Sequence, residues 1–532
     1  MNKLLKEKIM KNNIIPTIKR YFIMLTIAVF LMPGCSLDEE VYSIYTADTY
    51  YENEAQVMST LSGIYRNFAN LCSMGQPYRI MEVCTDEQTV LGRINGWWQN
   101  TTFLELMTHT WTYDNSYVDG GWDAFFKIVG QTNALISSLE KTTKLDVDQE
   151  IAELRALRAY AYFFLMDLYG NVPIFTDEKV EASNLPTQNT RKEVFEFVIS
   201  EIKAAINELP SQNDIGSAYY GRFTKEALYG LLATIYLNGE IYTGTDYYSD
   251  AITYADLIIN SGAYSLLDNY FDNFVYNNEE NAEMIYAAVF SPNSTGGIGH
   301  PFVQKTLPSI SGGLFDLPYQ PQNGFGTTDE LYNLYEDGDD RKDMFFPYGP
   351  MLDPETDDTV MVESVVTDGA SALYVEGEST SGPVPYVITK PTGYQNQSMT
   401  AGIKWLKWGI DPNTNGGKAG NDVAFLRYAD ILLIKAEAAF RKGETEVALT
   451  LINKVRARSN ASTLTSVTLN DFLDERGREL AFEMTRRRDL IRFGKFTEAW
   501  GFKEASEDYR CLYPIPKDAM DANPNLSQNT GY

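Results

Sequence analysis

The sequence predicts a mostly α-helical protein with a loop-rich insert carrying short β-hairpins. Three observations predict it. Long stretches repeat apolar residues at three- and four-residue steps, as in "IAELRALRAYAYFFLMDLYG" from Ile151 to Gly170. Near the C-terminus, two such stretches follow one another across a glycine, as a helical hairpin does. Between residues 291 and 421 that periodicity stops, and Gly, Pro, Ser, Thr and Asn dominate.

The elements follow in order. "TYYENEAQVMSTLSGIYRNF" (Thr49–Phe68) begins the first helical pattern. In the next clear helix, Ile151, Leu154, Leu157, Ala161, Phe164, Leu165 and Leu168 form one apolar face. Gly170 caps it and Pro173 blocks its continuation. Asn189–Leu209 is a further helix, closed by Pro210, and Lys225–Asn238 and Tyr248–Asn260 form a pair. The strongest pair is "FLRYADILLIKAEAAFRKGETEVALTLINKVRARSNA". Phe425, Ala429, Leu432, Leu433, Ala436, Ala439 and Phe440 share one face, Gly443 turns the chain, and Ala448, Leu451, Ile452 and Val455 make the second face. Small alanines at the crossing allow close packing. Both pairs resemble tetratricopeptide repeats, so the expected scaffold is tetratricopeptide-repeat-like. In the insert, "VMVESVV" and "VPYVITK" alternate as short strands do. Trp405 and Trp408 are spaced for packing on one helical face.

The first forty residues are a targeting segment by pattern. Lys3, Lys6, Lys8, Lys11, Lys19 and Arg20 precede an apolar run from Tyr21 to Met32, too short to cross a bilayer as a helix and suited to a secretory signal. "MPGC" then ends in Cys35, which resembles a bacterial lipobox, with Met32 and Pro33 where Leu and Ala or Ser are commoner. The resemblance implies removal of residues 1–34 and lipidation of Cys35. The acidic "SLDEE" that follows resembles the export tag of surface lipoproteins of Bacteroidetes-type bacteria.

Composition narrows the function. The net charge of −28 repels nucleic acid and anionic lipid, so neither is expected as a partner. With only His109 and His300, a His-rich metal site or a His relay has little material. Beyond Cys35, Cys72, Cys84 and Cys511 remain, an odd number that does not suit a disulfide framework. A Cys72–Cys84 bridge and free buried thiols both stay open. "EDGDD" (Glu336–Asp340) and "DPETDD" (Asp353–Asp358) carry oxygen ligands a structural calcium could use, but neither has EF-hand spacing, and solvated acidic loops are expected; no cofactor is. Nucleophile-elbow, zincin, P-loop and dinucleotide fingerprints do not occur.

Five stretches occur in a fixed order: "RALRAYAYFFLMDLYGNVPIF", "ELYNLYEDGDDRKDMFF", "FLRYADILLIKAEAAFRKGE" with "LINKVRARS", "ERGRELAFEMTRRRDLIRFGKF", and the terminal "LYPIPKDAMDANPNLSQNTGY". Together they resemble the SusD/RagB family of outer-membrane nutrient-binding lipoproteins. The resemblance implies an N-terminal helical region over 35–290, a variable insert over 291–421 and a C-terminal helical region over 422–532, with 291–532 joined to the N-terminal part in one intimate domain as the alternative. It implies a non-catalytic, lipid-anchored binding protein on the cell exterior, which captures oligosaccharides and passes them to a SusC-like TonB-dependent transporter. RagB-type members are associated with peptides, so a peptide-binding lid is the alternative. A surface glycoside hydrolase is the rival from another class. It needs two carboxylates in place, and the folds that usually carry them do not match the helical pattern. Within the fourth motif, Glu483, Arg486, Asp489 and Arg492 recur at three-residue steps, which predicts ion pairs on a solvated helix face.

Trp97, Trp98, Trp111 and Trp122 concentrate in one short region. An aromatic plane covers the C–H face of a sugar ring, while amides, carboxylates and guanidinium groups bond its hydroxyl rim. Trp97 and Trp98, with Asn100, Arg93 and Asp86 nearby in sequence, are therefore the leading ligand candidates, joined by Trp111, Tyr113 and, in the insert, Tyr319. The resemblance implies the same N-terminal loop region. Adjacent tryptophans on extended chain point to opposite sides, so at most one of the pair is expected to pack inward. Trp122 is expected in the core.

Overall fold

The computed structural model describes residues 51–94, 96–363 and 383–532. The signal segment and Cys35 lie outside the described residues.

Helix α1 (Glu54–Ala69) begins where the Asn53 side chain accepts from the Gln56 amide, and it buries Val57, Leu61, Ile64 and Phe68 along one stripe. Helix α2 (Gln76–Glu82) leads to the short strand β1 (Gln88–Val90). A loop then reaches α3 (Thr101–Thr108). The long helices α4 (Ser116–Leu139) and α5 (Asp148–Tyr169) pack along one another, and α6 (Arg191–Ile206) covers α5. A reciprocal bond set between Thr190 and Glu193 starts α6.

Helix α5 departs from the expected single apolar face. It is buried on nearly every side from Ala152 to Tyr169. Its charged members enter the core because each meets a partner. Glu153 binds Arg222 and Tyr65, and Arg158 binds Glu201 and the Asn133 side chain. Gly170, at φ +77, ends the helix with a backbone that suits glycine.

The two repeat-like pairs form. Helices α7 (Lys225–Leu237) and α8 (Tyr248–Ser261) make one hairpin, and α9 (Tyr428–Arg441) and α10 (Thr445–Arg458) the other. They pack together through α8 and α9 although a long insert separates them in sequence. Phe425 is not helical, as the pattern had implied. It lies on a strand, Val423–Arg427, antiparallel to the strand Met284–Ala288, and α9 starts only at Tyr428. The alternation of Val423, Phe425 and Arg427 with Ala424 and Leu426 suits a strand as well as a helix edge. This ladder closes the insert's two ends on each other. Its aromatic residues build the centre of the core: Tyr286 stacks on Phe425 at 5.4 Å and on Phe223 at 4.4 Å, and Phe68 lies 5.2 Å from Phe425.

In the insert, the strand Met361–Glu363 pairs with Pro383–Pro385, and Gly349–Pro350 with Val387–Ile388. Trp405 and Trp408 are buried as expected, but not on a helix. Trp405 ends a two-residue strand and stacks on Phe482 at 4.2 Å, while Trp408 stacks on Phe302 at 4.1 Å. Trp122 is in the core. Cys72 and Cys84 are free buried thiols, each bonded through sulfur to a carbonyl one turn back.

The fourth motif is not one solvated helix face. Helix α11 (Leu469–Leu480) stops at a turn where Phe482 and Met484 take positive φ, and α12 (Arg486–Arg492) restarts. Its charges are interior. Arg427 binds Glu283, Glu479 and Glu483; Arg341 binds Asp339, Glu475 and Glu479; Asp489 binds Arg476 and Arg492. Such groups are tolerated inside because each guanidinium faces a carboxylate and the remaining lone pairs are bonded. Of the "EDGDD" residues, only Asp339 is interior, bound by Arg341; half-buried Glu336 meets Arg456, while Asp337 and Asp340 are exposed, as expected of a solvated acidic loop, beside Lys342 and Asn460. Residues 51–532 form one compact unit.

Candidate functional site

Strand β1 pairs antiparallel with a strand of the insert, β2 (Phe325–Thr327), matching Gln88 with Thr327 and Val90 with Phe325. The loop from Leu91 to Asn100 therefore leaves the core beside the insert. Backbone bonds tie it there: Gly92 donates to Tyr394, Gln397 donates to Gly92, and Ile94 donates to Gln397. Within the loop, the Arg93 amide donates to the Trp97 carbonyl at 2.8 Å. Gly96 and Trp98 both have positive φ. Asn100 ends the loop as the cap of α3, its Oδ1 accepting from the Thr102 amide at 2.7 Å.

Only one ring of the pair packs inward, as expected, but the left-handed backbone at Trp98 keeps the two from diverging. On extended chain the two rings would diverge. Here both indole N–H groups donate to one acceptor, the Gln322 carbonyl, at 2.6 Å from Trp97 and 2.9 Å from Trp98. The rings stand edge to face, centroids 5.9 Å apart. Trp98 is the half-buried support, packed on Phe103 and Phe325. A side-chain carbon at Gly324 would lie 2.4 Å from the Trp98 ring, so only glycine fits beneath it. Lys305 sits over the Trp98 ring at 5.3 Å and donates to the Gln322 side chain at 2.5 Å. Trp97 is the presented ring, 46% exposed, with Ile94 exposed in the same loop. Beside them, Gln99 Nε2 donates to Asn396 Oδ1 at 3.2 Å, both side chains at the surface. An exposed indole next to an amide pair can stack on an apolar ring face and bond the polar groups around it.

The other expected residues divide between structural roles in the interior and positions at the surface. Arg93 is 0% exposed and spends its guanidinium on the carbonyls of Ser398, Ala401 and Asn323, so it positions the loop and cannot reach a ligand. Asp86 forms a two-point ion pair with Arg486, 2.7 Å for each bond, joining the N-terminal region to α12. Trp111 is 0% exposed. Its N–H donates to the Tyr532 hydroxyl at 2.6 Å, and His109 and Tyr513 enclose the ring. Asn100 caps α3, and its Nδ2 lies 3.4 Å from the Tyr117 hydroxyl. Tyr113 is exposed, and its carbonyl accepts from Lys517 of the C-terminal tail. Tyr319 is half-buried, and burial pushes its phenol up to about 12, helped by the charge of Asp411. It precedes Gln322 by three residues on the segment that holds the tryptophans. Gln322, Lys305 and Asn396 complete this candidate site, and the local sequence around them carries no signal for it.

Two family models match the chain: "SusD family" over residues 282–532, and "Starch-binding associating with outer membrane" over 37–237. The starch-binding protein SusD of Bacteroides thetaiotaomicron is 28% identical, over 88% of this chain and 86% of that one. A SusD-like protein of Bacteroides ovatus is 26% identical, over 76% of this chain and 71% of that one. Among solved structures, a SusD superfamily protein from Parabacteroides distasonis superposes with a TM-score of 0.71 at 21% identity, covering 90% of this chain and 99% of that one. Surface glycan-binding protein A of Bacteroides thetaiotaomicron, in complex with laminarihexaose, does so with a TM-score of 0.69 at 21% identity and the same coverage. In fold and in sequence, the chain belongs to the SusD/RagB family.

Proposed function

We propose that this protein is a non-catalytic glycan-binding protein of the outer cell surface, and that it takes its oligosaccharide on the Trp97 platform. The observation that carries this reading is the shared Gln322 carbonyl. It fixes both indoles, leaves Trp97 presented, and sets that ring beside the Gln99–Asn396 amide pair. The relatives named for starch binding and for a laminarihexaose complex support a glycan ligand. A lipid on Cys35 would hold the protein at the outer membrane, and a SusC-like TonB-dependent transporter would receive the cargo. The tether keeps the two at high effective concentration.

The test is calorimetric titration of soluble protein beginning at Ser36 against soluble glycans and peptides, with Trp97→Ala beside it. Saturable glycan binding that Trp97→Ala weakens roughly 30-fold is the expected result. Binding of peptides only would replace the glycan reading. The transporter is tested separately: detergent extraction of the lipidated protein from its native membrane should bring a β-barrel partner with it, and repeated isolation alone would remove that role.

A further inference from the structure

The segment from Gln212 to Thr224 walls a cavity of about 300 Å³ against the strand Met284–Ala288. It shares no residue with the Trp97 platform. Two short helical turns, Gln212–Ile215 and Gly216–Tyr219, lead into the wall. Gly221, at φ +78, then brings the chain so close to Val289 that a side-chain carbon would lie 2.4 Å from it. The wall is firmly held. The Arg222 guanidinium lies 3.9 Å from the centre of the Tyr219 ring and is bound in turn by Glu153, while the Tyr220 hydroxyl donates to Asp422. One lining group is left over. Tyr264 is 7% exposed, and its hydroxyl is buried without a hydrogen-bond partner. The Thr224 hydroxyl in the same wall is out of bonding geometry with it and accepts from the Ala227 amide as the cap of α7. Gln212 gives its side-chain N–H to the Gly216 carbonyl and keeps its side-chain oxygen for another donor.

A buried hydroxyl without a partner opposes folding and is rare, unless something entering the cavity bonds it. The lining indicates what enters. Its guanidinium is already paired, and the other ionic lining residue, Glu280, is an exposed carboxylate, so an anion is opposed. The rest is neutral: tyrosine rings, hydroxyls, one amide oxygen and the apolar Met284, Ile285 and Ala287. A sugar ring matches that mixture, with an apolar C–H face for the aromatic planes and a hydroxyl rim for the polar atoms. The volume stands at the lower end of ligand pockets, which suits one ring and not a chain. We propose that this cavity is a second carbohydrate site, holding one neutral sugar unit with a hydroxyl of that sugar bonded to Tyr264. The unit is a free monosaccharide or the terminal unit of a glycan. Because no residue is shared, the proposal stands or falls apart from the Trp97 reading.

The test uses soluble protein from Ser36 onward carrying Trp97→Ala, which weakens the platform and leaves this cavity intact. The probes are glucose, galactose, mannose, xylose, maltotriose and laminaritriose, titrated by saturation-transfer NMR. At least one should bind saturably, and adding Tyr264→Phe should raise its Kd roughly tenfold, the effect of one lost hydrogen bond. Because that hydroxyl has no partner in the fold, Tyr264→Phe should melt no lower than its parent. Binding of a monosaccharide assigns the site to free sugar, and binding of trisaccharides alone assigns it to a chain end. No binding to Trp97→Ala means that water alone fills the cavity and overturns the proposal. Equal binding with and without the Tyr264 hydroxyl overturns it too, as does a fall of several degrees in the melting temperature of Tyr264→Phe.

Discussion

Trp97 and Trp98, adjacent in sequence, turn their indole N–H groups the same way, with ring planes 76° apart. One ring therefore supports and the other is presented. Trp97→Ala should remove an exposed contact without disturbing the core. The expected loss is about 2 kcal/mol of glycan binding, roughly 30-fold in Kd, with unfolding temperature unchanged. Trp98→Ala should weaken binding and also lower the unfolding temperature, because Phe103 and Phe325 lose a packed neighbour. Paired calorimetry and thermal melts separate the two.

Gly324 is the floor of that arrangement. In Gly324→Ala the added methyl collides with the Trp98 ring, which must tilt and drag the N–H away from Gln322. Glycan affinity should fall several-fold while the far-ultraviolet spectrum stays native. Titration calorimetry beside circular dichroism reads both.

Asp86 and Arg486 join residues 400 apart in sequence. If Asp86 holds the fold and not the ligand, Asp86→Ala removes both close bonds from the buried Arg486 guanidinium and leaves it only the Glu87 carboxylate, 3.9 Å away. It should cost about 3 kcal/mol of stability while the remaining folded protein keeps its glycan affinity. Loss of affinity at unchanged stability would return Asp86 to the ligand site. Denaturant melts and calorimetry on the same preparation decide.

Asp422 gives the pH dependence. Burial raises its carboxyl to about 7, although the Phe290 amide and the Tyr220 hydroxyl donate to it and pull the other way. Because the folded-state value lies above the unfolded one, the folded protein binds this proton more tightly. That stabilisation is complete below about pH 4, the unfolded carboxyl's range, and is lost as pH rises through about 7. Buried Glu82, also raised to about 7 by burial, acts in the same sense. The carboxylates held low by arginines, such as Glu475 and Glu479, lose their contribution only on the acid side. Unfolding temperature should therefore decline between pH 5 and 7, and Asp422→Asn should flatten the decline. Melts across that range measure it.

The helical scaffold was legible because its signals are local. Apolar steps, the Gly170 stop and the Gly443 turn each act within a few residues, and α5, α7, α8, α9 and α10 formed close to their expected bounds. Phe425 was misread because a five-residue alternating strand abutting a helix continues its apolar pattern. The arginines of the fourth motif looked like a solvated face because their partners are remote: Asp86 for Arg486, Asp167 for Arg487. At the site, the aromatic pair was visible and its geometry was not. The outcome turned on the positive φ of Trp98 and on Gln322 and Asn396, more than 200 residues away, whose types carry no local signal. Arg93 and Trp111 had suitable chemistry and the wrong exposure, which only the fold decides.

The most direct measurement is the titration of soluble protein from Ser36 onward with a panel of glycans, wild type against Trp97→Ala. Wild type should bind one glycan class saturably, and Trp97→Ala should bind it roughly 30-fold more weakly. Equal binding by both proteins, or no glycan bound by the wild type, would contradict it.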